Sequence, residues 1–381
     1  MVERHSGRLR RLWRNLHLWL GAGLFVLLVP IAISGSLLVW HDHLDALINP
    51  GRYAVTAGAL QPPSTYVTAA RAAVPANFQV FVVRFPEDAG APVTVTTRET
   101  GLERGARPRL LTVYLDPPNG RVLDVVDARA SFVGFLHRFH ENLAIPDYNG
   151  RSIVGWVGVA MLVLSLTGIY LWWPRNAAFA RGMRWRRAPT GWSNLHHMIG
   201  FWISIPLAIV SLTGIYLGFP QQGRDLLSSV APMTPQQRGG FGAPLLQNPR
   251  LAIDQALDAA RAAQTQARPA ALFTPTQPNP AWRVQLRRAD ATELTTVMVD
   301  DRSGTAAIVT PLAGDRTAQW IRWIHEGSHS GLLWQVIVFL CGVAPPVLGV
   351  TGIVIWLRQR ANRKALARAR AEELSQLGAA E

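Results

Sequence analysis

Histidines are the residues of this sequence best suited to chemistry, because a neutral imidazole is a ready metal ligand near pH 7. The chain has ten, and all except His5 lie within or just outside the ends of four long apolar segments. These nine are His17, His41, His43, His137, His140, His196, His197, His325 and His329. Histidines gathered at the ends of apolar segments predict ligands of a redox cofactor.

The apolar segments lack Asp, Glu, Lys and Arg and are long enough to cross a membrane. About 20 helical residues cover the ~30 Å hydrocarbon core of a bilayer. We predict spanning helices at 17–40, 152–173, 195–218 and 332–357. Four consecutive soluble helices without a polar face are improbable. The sequence therefore predicts a multi-pass protein in a lipid bilayer, and we interpret the first segment as an uncleaved anchor rather than a signal peptide.

The net charge of +14 does not indicate a nucleic-acid partner, because the basic excess is confined to short segments. Nearly all of it lies in residues 1–16, 174–194 and 358–381, whereas the long segments 41–151 and 219–331 are close to neutral. Basic flanks mark the cytoplasmic side of a membrane protein. We therefore expect both termini and the Arg-rich 174–194 loop in the cytoplasm, and the two long segments on the other side.

The single cysteine, Cys341, lies in the fourth predicted span. One cysteine excludes an intramolecular disulfide and a Cys-x-x-Cys site. The sequence also lacks Cys-x-x-Cys-His, the attachment motif of c-type haem. Any haem in this protein would therefore be held without a covalent bond, and we expect Cys341 to act as a small packing residue.

Motifs recur at fixed offsets and predict an internal duplication. The elements Leu16-His17, Gly21 and Ser34-Gly35 correspond, at a single offset of 179, to Leu195-His196, Gly200 and Thr213-Gly214. The elements Thr167-Gly168-Ile169 and Trp172 correspond, at an offset of 184, to Thr351-Gly352-Ile353 and Trp356. Each half then consists of a span, a long segment and a second span.

Each long segment is predicted to form a small α+β module, a helix laid on an antiparallel sheet. The predicted strands are Gln79–Phe85, Val93–Thr97 and Leu110–Leu115 in the first half, and Arg283–Arg287 and Thr295–Val299 in the second. Alternating residues followed by Gly-containing turns indicate such strands. Neither module carries a nucleophile motif, a phosphate loop or a metal-ligand spacing. The predicted fold class is an all-α membrane four-helix bundle with two α+β modules.

These residues resemble a known family, the PepSY-associated transmembrane proteins, which includes iron-regulated membrane proteins and ferric-siderophore reductases. The resemblance covers roughly residues 9–360. It rests on these motifs: Leu16-His17, Leu136-His137-Arg138, Leu195-His196 with Gly200, Ile324-His325 with Gly327, and the two Thr-Gly-Ile endings.

The resemblance implies a bacterial inner-membrane protein with two periplasmic PepSY modules. It also implies b-type haems held by histidines and delivery of electrons to a periplasmic ferric siderophore or other Fe(III) chelate. Family position favours His137 and His325 as an axial pair on the periplasmic side. His140 and His329 depart from the family pattern and add candidate ligands.

The residues support haem ligation at the cytoplasmic side, where His17 and His196 open the first and third spans. Each has a glycine four residues on, Gly21 and Gly200, on the same helix face one turn away. A missing side chain there leaves room for a flat macrocycle. His197 points about 100° away from His196 and is the weaker candidate.

The periplasmic side offers two further pairs, His137 with His140 and His325 with His329. Because their spacings are i, i+3 and i, i+4, we expect each pair to share a helix face, so that one ring could ligate and the other support it. His41 and His43 close the first span on this side. These two could serve an additional metal site, or they could form a polar helix end in water.

A b-type haem at each face, two in all, would make a two-step relay, since one hop across ~30 Å is too long. The sequence lacks a dinucleotide or flavin motif, so we expect a separate electron donor. The leading hypothesis is a haem-dependent ferric-siderophore (ferric-chelate) reductase. The alternatives are a histidine-lined metal permease, disfavoured because the spans lack acidic residues, and a non-catalytic assembly protein that binds a partner through its modules.

Overall fold

A computed structural model describes residues 2–103, 106, 108–173, 190–235, 243–278, 280–289, 291 and 293–378. Most of the Arg-rich 174–194 loop lies outside these residues. The chain forms two compact units. Unit 1 comprises Met1–Val39, Leu136–Leu227 and Ala318–Glu381, and unit 2 comprises Trp40–Phe135 and Ser228–Thr317.

Helices and strands alternate in blocks along the chain. The helices are α1 (Val2–Val39), α2 (His41–Ile48), α3 (Pro63–Ala73), α4 (Phe132–Asn142), α5 (Gly150–Trp172), α6 (Gly191–Gly218), α7 (Pro220–Val230), α8 (Ile253–Ala263), α9 (Ala313–Glu326) and α10 (Gly331–Gly378). The strands are β1 (Phe78–Arg84), β2 (Val93–Glu99), β3 (Leu110–Leu115), β4 (Val122–Asp127), β5 (Arg268–Phe273), β6 (Ala281–Arg287), β7 (Thr295–Asp300) and β8 (Ala306–Val309).

Helices α1, α5, α6 and α10 are long and apolar enough to cross a membrane. The candidate spans are Arg8–Val39, Gly150–Trp172, Gly191–Gly218 and Gly331–Glu372, and each overlaps one of the four predicted spans. Two of the helices are longer than the predicted spans, because α1 begins at Val2 and α10 continues to Gly378. The extension of α10 is rich in Ala, Arg, Leu and Glu, which favour a helix even where the chain is polar.

The apolar helices of unit 1 pack side by side, α1 against α5 and α10, and α6 against α5 and α10. Close contact between α5 and α6 requires small residues, since a Cβ on Gly218 would lie 2.7 Å from the Cα of Gly155. Cys341 is buried in an apolar cluster with Ile203 and Leu207 of α6, where it fills space as predicted.

The strands of unit 2 form one eight-stranded sheet in the order β4-β3-β2-β1-β5-β6-β7-β8. The sequence predicted a sheet in each half, and the structure joins the two through an antiparallel pairing of β1 with β5. Pairing these strands removes two exposed edges whose N–H and C=O groups would otherwise lack partners. The prediction missed β4, β5 and β8, since β4 and β8 are edge strands with little burial and β5 contains Pro269.

One face of this sheet is covered by α3 and α8 and holds the core of unit 2. Tyr66 of α3 and Leu257 of α8 pack there against alternate strand residues such as Val83, Leu272 and Val284. Because side chains alternate along a strand, the residues between these point to the opposite face.

Buried aspartates tie the chain to the turns that follow β3 and β7. Asp116 accepts hydrogen bonds from the backbone and hydroxyl of Thr56, each at 2.8 Å. Asp301 accepts from the backbone N–H groups of Arg250 and Leu251, at 2.8 and 3.1 Å, and from the indole of Trp282 at 3.0 Å. Each carboxylate therefore fixes the segment that leads into the module's helix.

We expect Asp301→Ala to destabilise unit 2 by about 3 kcal/mol, since it leaves buried N–H donors without an acceptor. The measurement is the thermal unfolding of the purified protein followed by tryptophan fluorescence. Asp258→Ala is the control, because Asp258 is exposed on α8. Equal melting temperatures for the two variants would show that Asp301 does not anchor the module.

Candidate functional site: two pairs of facing imidazoles

The inner pair of imidazoles consists of His17 from α1 and His196 from α6. Their ring centres are 6.4 Å apart and their planes meet at 84°. The sequence predicted this pairing, and the structure brings the two residues together from different helices.

The outer pair consists of His140 from α4 and His325 from α9. Their ring centres are 6.2 Å apart and their planes meet at 40°. The sequence favoured His137 as the partner of His325, but the structure places His140 there. His137 lies at an exposed position on α4, whereas His140 lies against the first apolar helix.

Each ring of the inner pair is fixed by a threonine of a neighbouring helix. The Nδ1 atom of His17 lies 2.8 Å from the hydroxyl of Thr167, and that of His196 lies 2.9 Å from the hydroxyl of Thr351. Both hydroxyls donate to carbonyls one turn back in their own helices, of Val163 and Val347 respectively. Since a hydroxyl has one hydrogen, its oxygen is left to accept from the imidazole. The proton is thus on Nδ1, and Nε2 carries the lone pair.

The rings of the outer pair are fixed in the same way, with a backbone carbonyl as the nearer partner. The Nδ1 of His140 lies 2.9 Å from the carbonyl oxygen of Ile31 and 3.4 Å from the hydroxyl of Ser34. The Nδ1 of His325 lies 3.0 Å from the carbonyl oxygen of Val210 and 3.3 Å from the hydroxyl of Thr213. A carbonyl can only accept, so Nδ1 is the protonated nitrogen here as well.

Burial keeps the outer imidazoles neutral. It lowers the pKa of His140, and burial together with the neighbouring His140 lowers the pKa of His325 to about 4. Both rings are therefore uncharged at pH 7 and have Nε2 available as a ligand.

A glycine follows each of the four hydroxyl residues and makes room for the ring. A Cβ on Gly35 would lie 2.7 Å from Cε1 of His140, and one on Gly214 would lie 2.8 Å from Cε1 of His325. At the inner pair the corresponding distances are 3.6 Å from Gly168 to His17 and 3.3 Å from Gly352 to His196. The Ser-Gly and Thr-Gly dipeptides therefore form four similar seats, each with a hydroxyl beside Nδ1 and a gap beside Cε1.

The spacing of each pair suits two imidazoles that share one metal ion. A ligating nitrogen lies ~2 Å from its metal and ~1 Å from its own ring centre, so two rings on opposite sides of one ion have centres roughly 6 Å apart. The chain supplies two nitrogens at each place, and among the described residues no group of three or more His, Cys, Asp or Glu side chains could hold a metal ion. The arrangement thus fits a metal whose other ligands come from a macrocycle, as in haem.

We expect Thr167→Val and Thr351→Val each to weaken haem binding at the inner pair by about 10- to 100-fold, since both remove the acceptor that orients an imidazole. The measurement is the haem content of the purified variant after washing with apo-myoglobin. Thr167→Ser should restore binding. Ser165→Ala is the control, because the Ser165 hydroxyl bonds to the Met161 carbonyl of its own helix. Full retention of haem by both valine variants would contradict this role.

Two further predicted site residues, His197 and His329, follow a paired histidine in the sequence. His197 follows His196, with ring centres 6.3 Å apart and planes at 83°. His329 was expected to share a helix face with His325, but α9 ends at Glu326 and His329 lies beyond it, with a φ of 55°. Its ring packs on that of Trp323 at 4.6 Å. The prediction of a shared helix face was wrong because Gly327 ends the helix between the two histidines.

The remaining predicted residues take other positions. Gly21 and Gly200 face Leu164 and Leu348, and a Cβ on either would make ordinary van der Waals contact, at 3.6 and 3.8 Å. His41 and His43 belong to α2 in unit 2. His41 contacts Asp42 at 3.3 Å, and the ring of His43 lies 5.9 Å from that of Trp40.

Sequence reasoning missed the positioning role of the residues that form the four seats. They are Ser34, Gly35, Thr167, Gly168, Thr213, Gly214, Thr351 and Gly352. Their recurrence predicts the duplication but by itself does not indicate a function. A signal for His140 was also present in the sequence. The dipeptide His140-Glu141 recurs as His325-Glu326 at an offset of 185, close to the offset of 184 that relates the Thr-Gly motifs.

Comparison with known families places these motifs in context. The sequence profile described as the PepSY-associated TM region matches residues 14–359 of this chain. A comparison of this chain with curated protein sequences found no match. The profile covers most of α1, all of unit 2 and the apolar part of α10, and it includes the four histidines of both pairs. The chain therefore belongs to the PepSY-associated transmembrane family.

Proposed function

We propose that this protein is a haem-dependent transmembrane oxidoreductase that passes electrons to an Fe(III) chelate on the outer side of the membrane. The observation that carries the proposal is the existence of two imidazole pairs. The ring centres are 6.4 Å apart in the inner pair and 6.2 Å apart in the outer pair, and the Nδ1 atoms of both pairs are hydrogen-bonded. Such pairs suit b-type haem. Haem supplies a one-electron iron couple when it is bound.

The residues of the chain perform three tasks in this proposal. His17 and His196 would hold one haem, and His140 and His325 would hold the other. The seats on the neighbouring helices hold each ring through its Nδ1, which would leave each Nε2 free to bind a haem iron. The apolar helices exclude water and ions from the path between the two places.

The distance between the pairs calls for two cofactors rather than one. Ser34 lies beyond His17 on α1 by the same separation that puts Thr213 beyond His196 on α6, which is about five helical turns. At ~1.5 Å per residue, the inner and outer contacts lie roughly 25 Å apart along the helices. The matched spacing on both helices supports two sites near opposite ends of the apolar segments, as a relay across a membrane requires.

Orientation follows from the distribution of charge. The basic flanks of the apolar segments favour the cytoplasm of a bacterial inner membrane for both termini, and the periplasm for unit 2. Electrons would enter at the His17 end from a quinol or a reduced carrier protein and leave at the His140 end. Each electron converts one Fe(III) to Fe(II), which hard oxygen donors such as those of a siderophore bind less tightly.

The test uses full-length protein purified from cells supplied with a haem precursor. We expect Soret and α-band absorbance, and a pyridine haemochrome assay should give about two b-type haems per chain. Protein reduced with dithionite and freed of excess reductant should be reoxidised by ferric citrate without oxygen, with Fe(II) captured by ferrozine. A colourless protein, or a reduced protein that ferric citrate leaves unchanged, would refute the proposal.

A further inference from the structure

The open face of the unit 2 sheet carries a basic and aromatic cluster at the seam where β1 meets β5. Its members are Arg84 of β1, Phe273 of β5 and Arg283 of β6. Arg84 pairs in register with Ala271, and Arg283 pairs with Phe273 itself. Their neighbours Val83, Leu272 and Val284 are fully buried in the core on the helix-covered face. Alternation along the strands therefore puts the cluster on the face away from α3 and α8.

Both guanidinium groups approach the same ring. The Cζ atom of Arg283 lies 3.8 Å from the centre of the Phe273 ring, and that of Arg84 lies 5.9 Å from it. A guanidinium stacked on a ring uses its flat surface and keeps its five in-plane N–H donors for other partners. Both arginines are exposed residues. The cluster thus consists of the half-buried ring of Phe273 with a guanidinium group on each side that can donate hydrogen bonds.

The part of the chain that the structure describes offers these two charges no carboxylate partner. Among the residues that the structure describes, neither Arg84 nor Arg283 forms an ion pair with a carboxylate. Partial burial lowers the pKa of both groups, and the charge of Arg84 lowers that of Arg283 further. Arg287, on the same strand as Arg283, differs, because it pairs with Glu87 at 2.9 Å. Two like charges held side by side favour the arrival of an anion between them.

We propose that Arg84 and Arg283, with the ring of Phe273 between them, form the docking site for an anionic, oxygen-rich Fe(III) chelate. This proposal rests on the proposed function. Guanidinium forks match carboxylate and similar planar oxygen pairs bidentately. The phenyl ring would contact the carbon skeleton of the chelate. The site would therefore select anionic chelates over neutral or cationic ones.

The experiment measures binding of gallium(III) citrate to the full chain in phosphatidylcholine nanodiscs by titration calorimetry. Ga(III) citrate resembles ferric citrate in charge and ligands, but the metal is not reduced, so binding is observed apart from redox chemistry. We expect Arg84→Gln and Arg283→Gln each to weaken binding about tenfold, and the double variant about 100-fold. Arg287→Gln is the matched control and should stay within about twofold of wild type. In Arg84→Gln, Arg283→Gln and the double variant, the reduction of ferric citrate should show a raised KM with little change in kcat.

The outcomes separate this proposal from the proposed function. Binding of gallium citrate that depends on both arginines, without reduction of ferric citrate, would support the docking site and refute the redox activity. Reduction with an unchanged KM in the double variant would refute the docking site and leave the redox activity standing. Absence of binding by wild type, or equal weakening by Arg287→Gln, would also overturn the proposal. So would loss of binding when phosphatidylglycerol is added to the nanodisc, since the forks would then serve lipid headgroups.

Discussion

A His140→Ala variant is expected to lose one of the two haems, whereas a His137→Ala variant keeps both. The structure pairs His140 with His325 at 6.2 Å and places its Nδ1 2.9 Å from the Ile31 carbonyl. If this pair holds a haem as proposed, removal of His140 would leave His325 as its single protein ligand. The pyridine haemochrome ratio should therefore fall from about two to about one per chain.

The two substitutions are a matched pair, since both replace a histidine of α4 by alanine. Ferric citrate should no longer reoxidise the reduced His140→Ala protein at the wild-type rate, while the His137→Ala protein should behave as wild type. A loss of haem in His137→Ala but not in His140→Ala would favour the family-based assignment over the geometry. Equal loss in both would indicate that α4 itself, rather than one ring, had been disturbed.

Gly35→Ala and Gly214→Ala are expected to weaken haem binding at the outer pair by about 10- to 100-fold. The added methyl carbon would lie 2.7 Å from Cε1 of His140 in the first variant and 2.8 Å from Cε1 of His325 in the second. The imidazole must move away, and its Nε2 then leaves the position from which it would ligate. The measurement is the haem content after washing with apo-myoglobin, compared with wild type.

Gly21→Ala and Gly200→Ala provide controls with the same one-methyl change, because their added carbons would meet only leucine methyl groups at 3.6 and 3.8 Å. They also test the sequence-based idea that these glycines make room for the macrocycle. If they reduced haem content as much as Gly35→Ala, that idea would hold and the importance of the seats would be in doubt.

Much of the membrane part of this protein can be predicted from the sequence, because a span is a local property. An uncharged run of sufficient length must form a helix in a bilayer, and the four predicted spans coincide with apolar helices of the structure. The joining of the strands into one sheet could not be predicted. The pairing of Val83 with Leu272 is a contact between distant segments, and neither strand carries a local signal for the other.

The inner histidines were predictable because one feature distinguishes them, the recurrence of His17 as His196 at a single offset. The outer pair was harder. His137 and His140 lie one turn apart on α4, and the choice between them depends on which side of that helix meets α1. Hydrophobic pattern does not decide between neighbouring positions of a short helix. The repeated His-Glu dipeptide, at 140–141 and 325–326, favours His140 over His137 as the counterpart of His325.

The angle between the rings differs at the two places, 84° for the inner pair and 40° for the outer pair. The orientation of axial imidazole planes sets the splitting of the iron d orbitals that hold the unpaired electron in low-spin ferric haem. Near-perpendicular rings give a strongly anisotropic electron paramagnetic resonance signal, and more nearly parallel rings give a rhombic one. Each ring is held at its angle by its own seat. If both pairs bind haem as proposed, a single frozen sample of oxidised protein should display both signals and allow each centre to be followed separately.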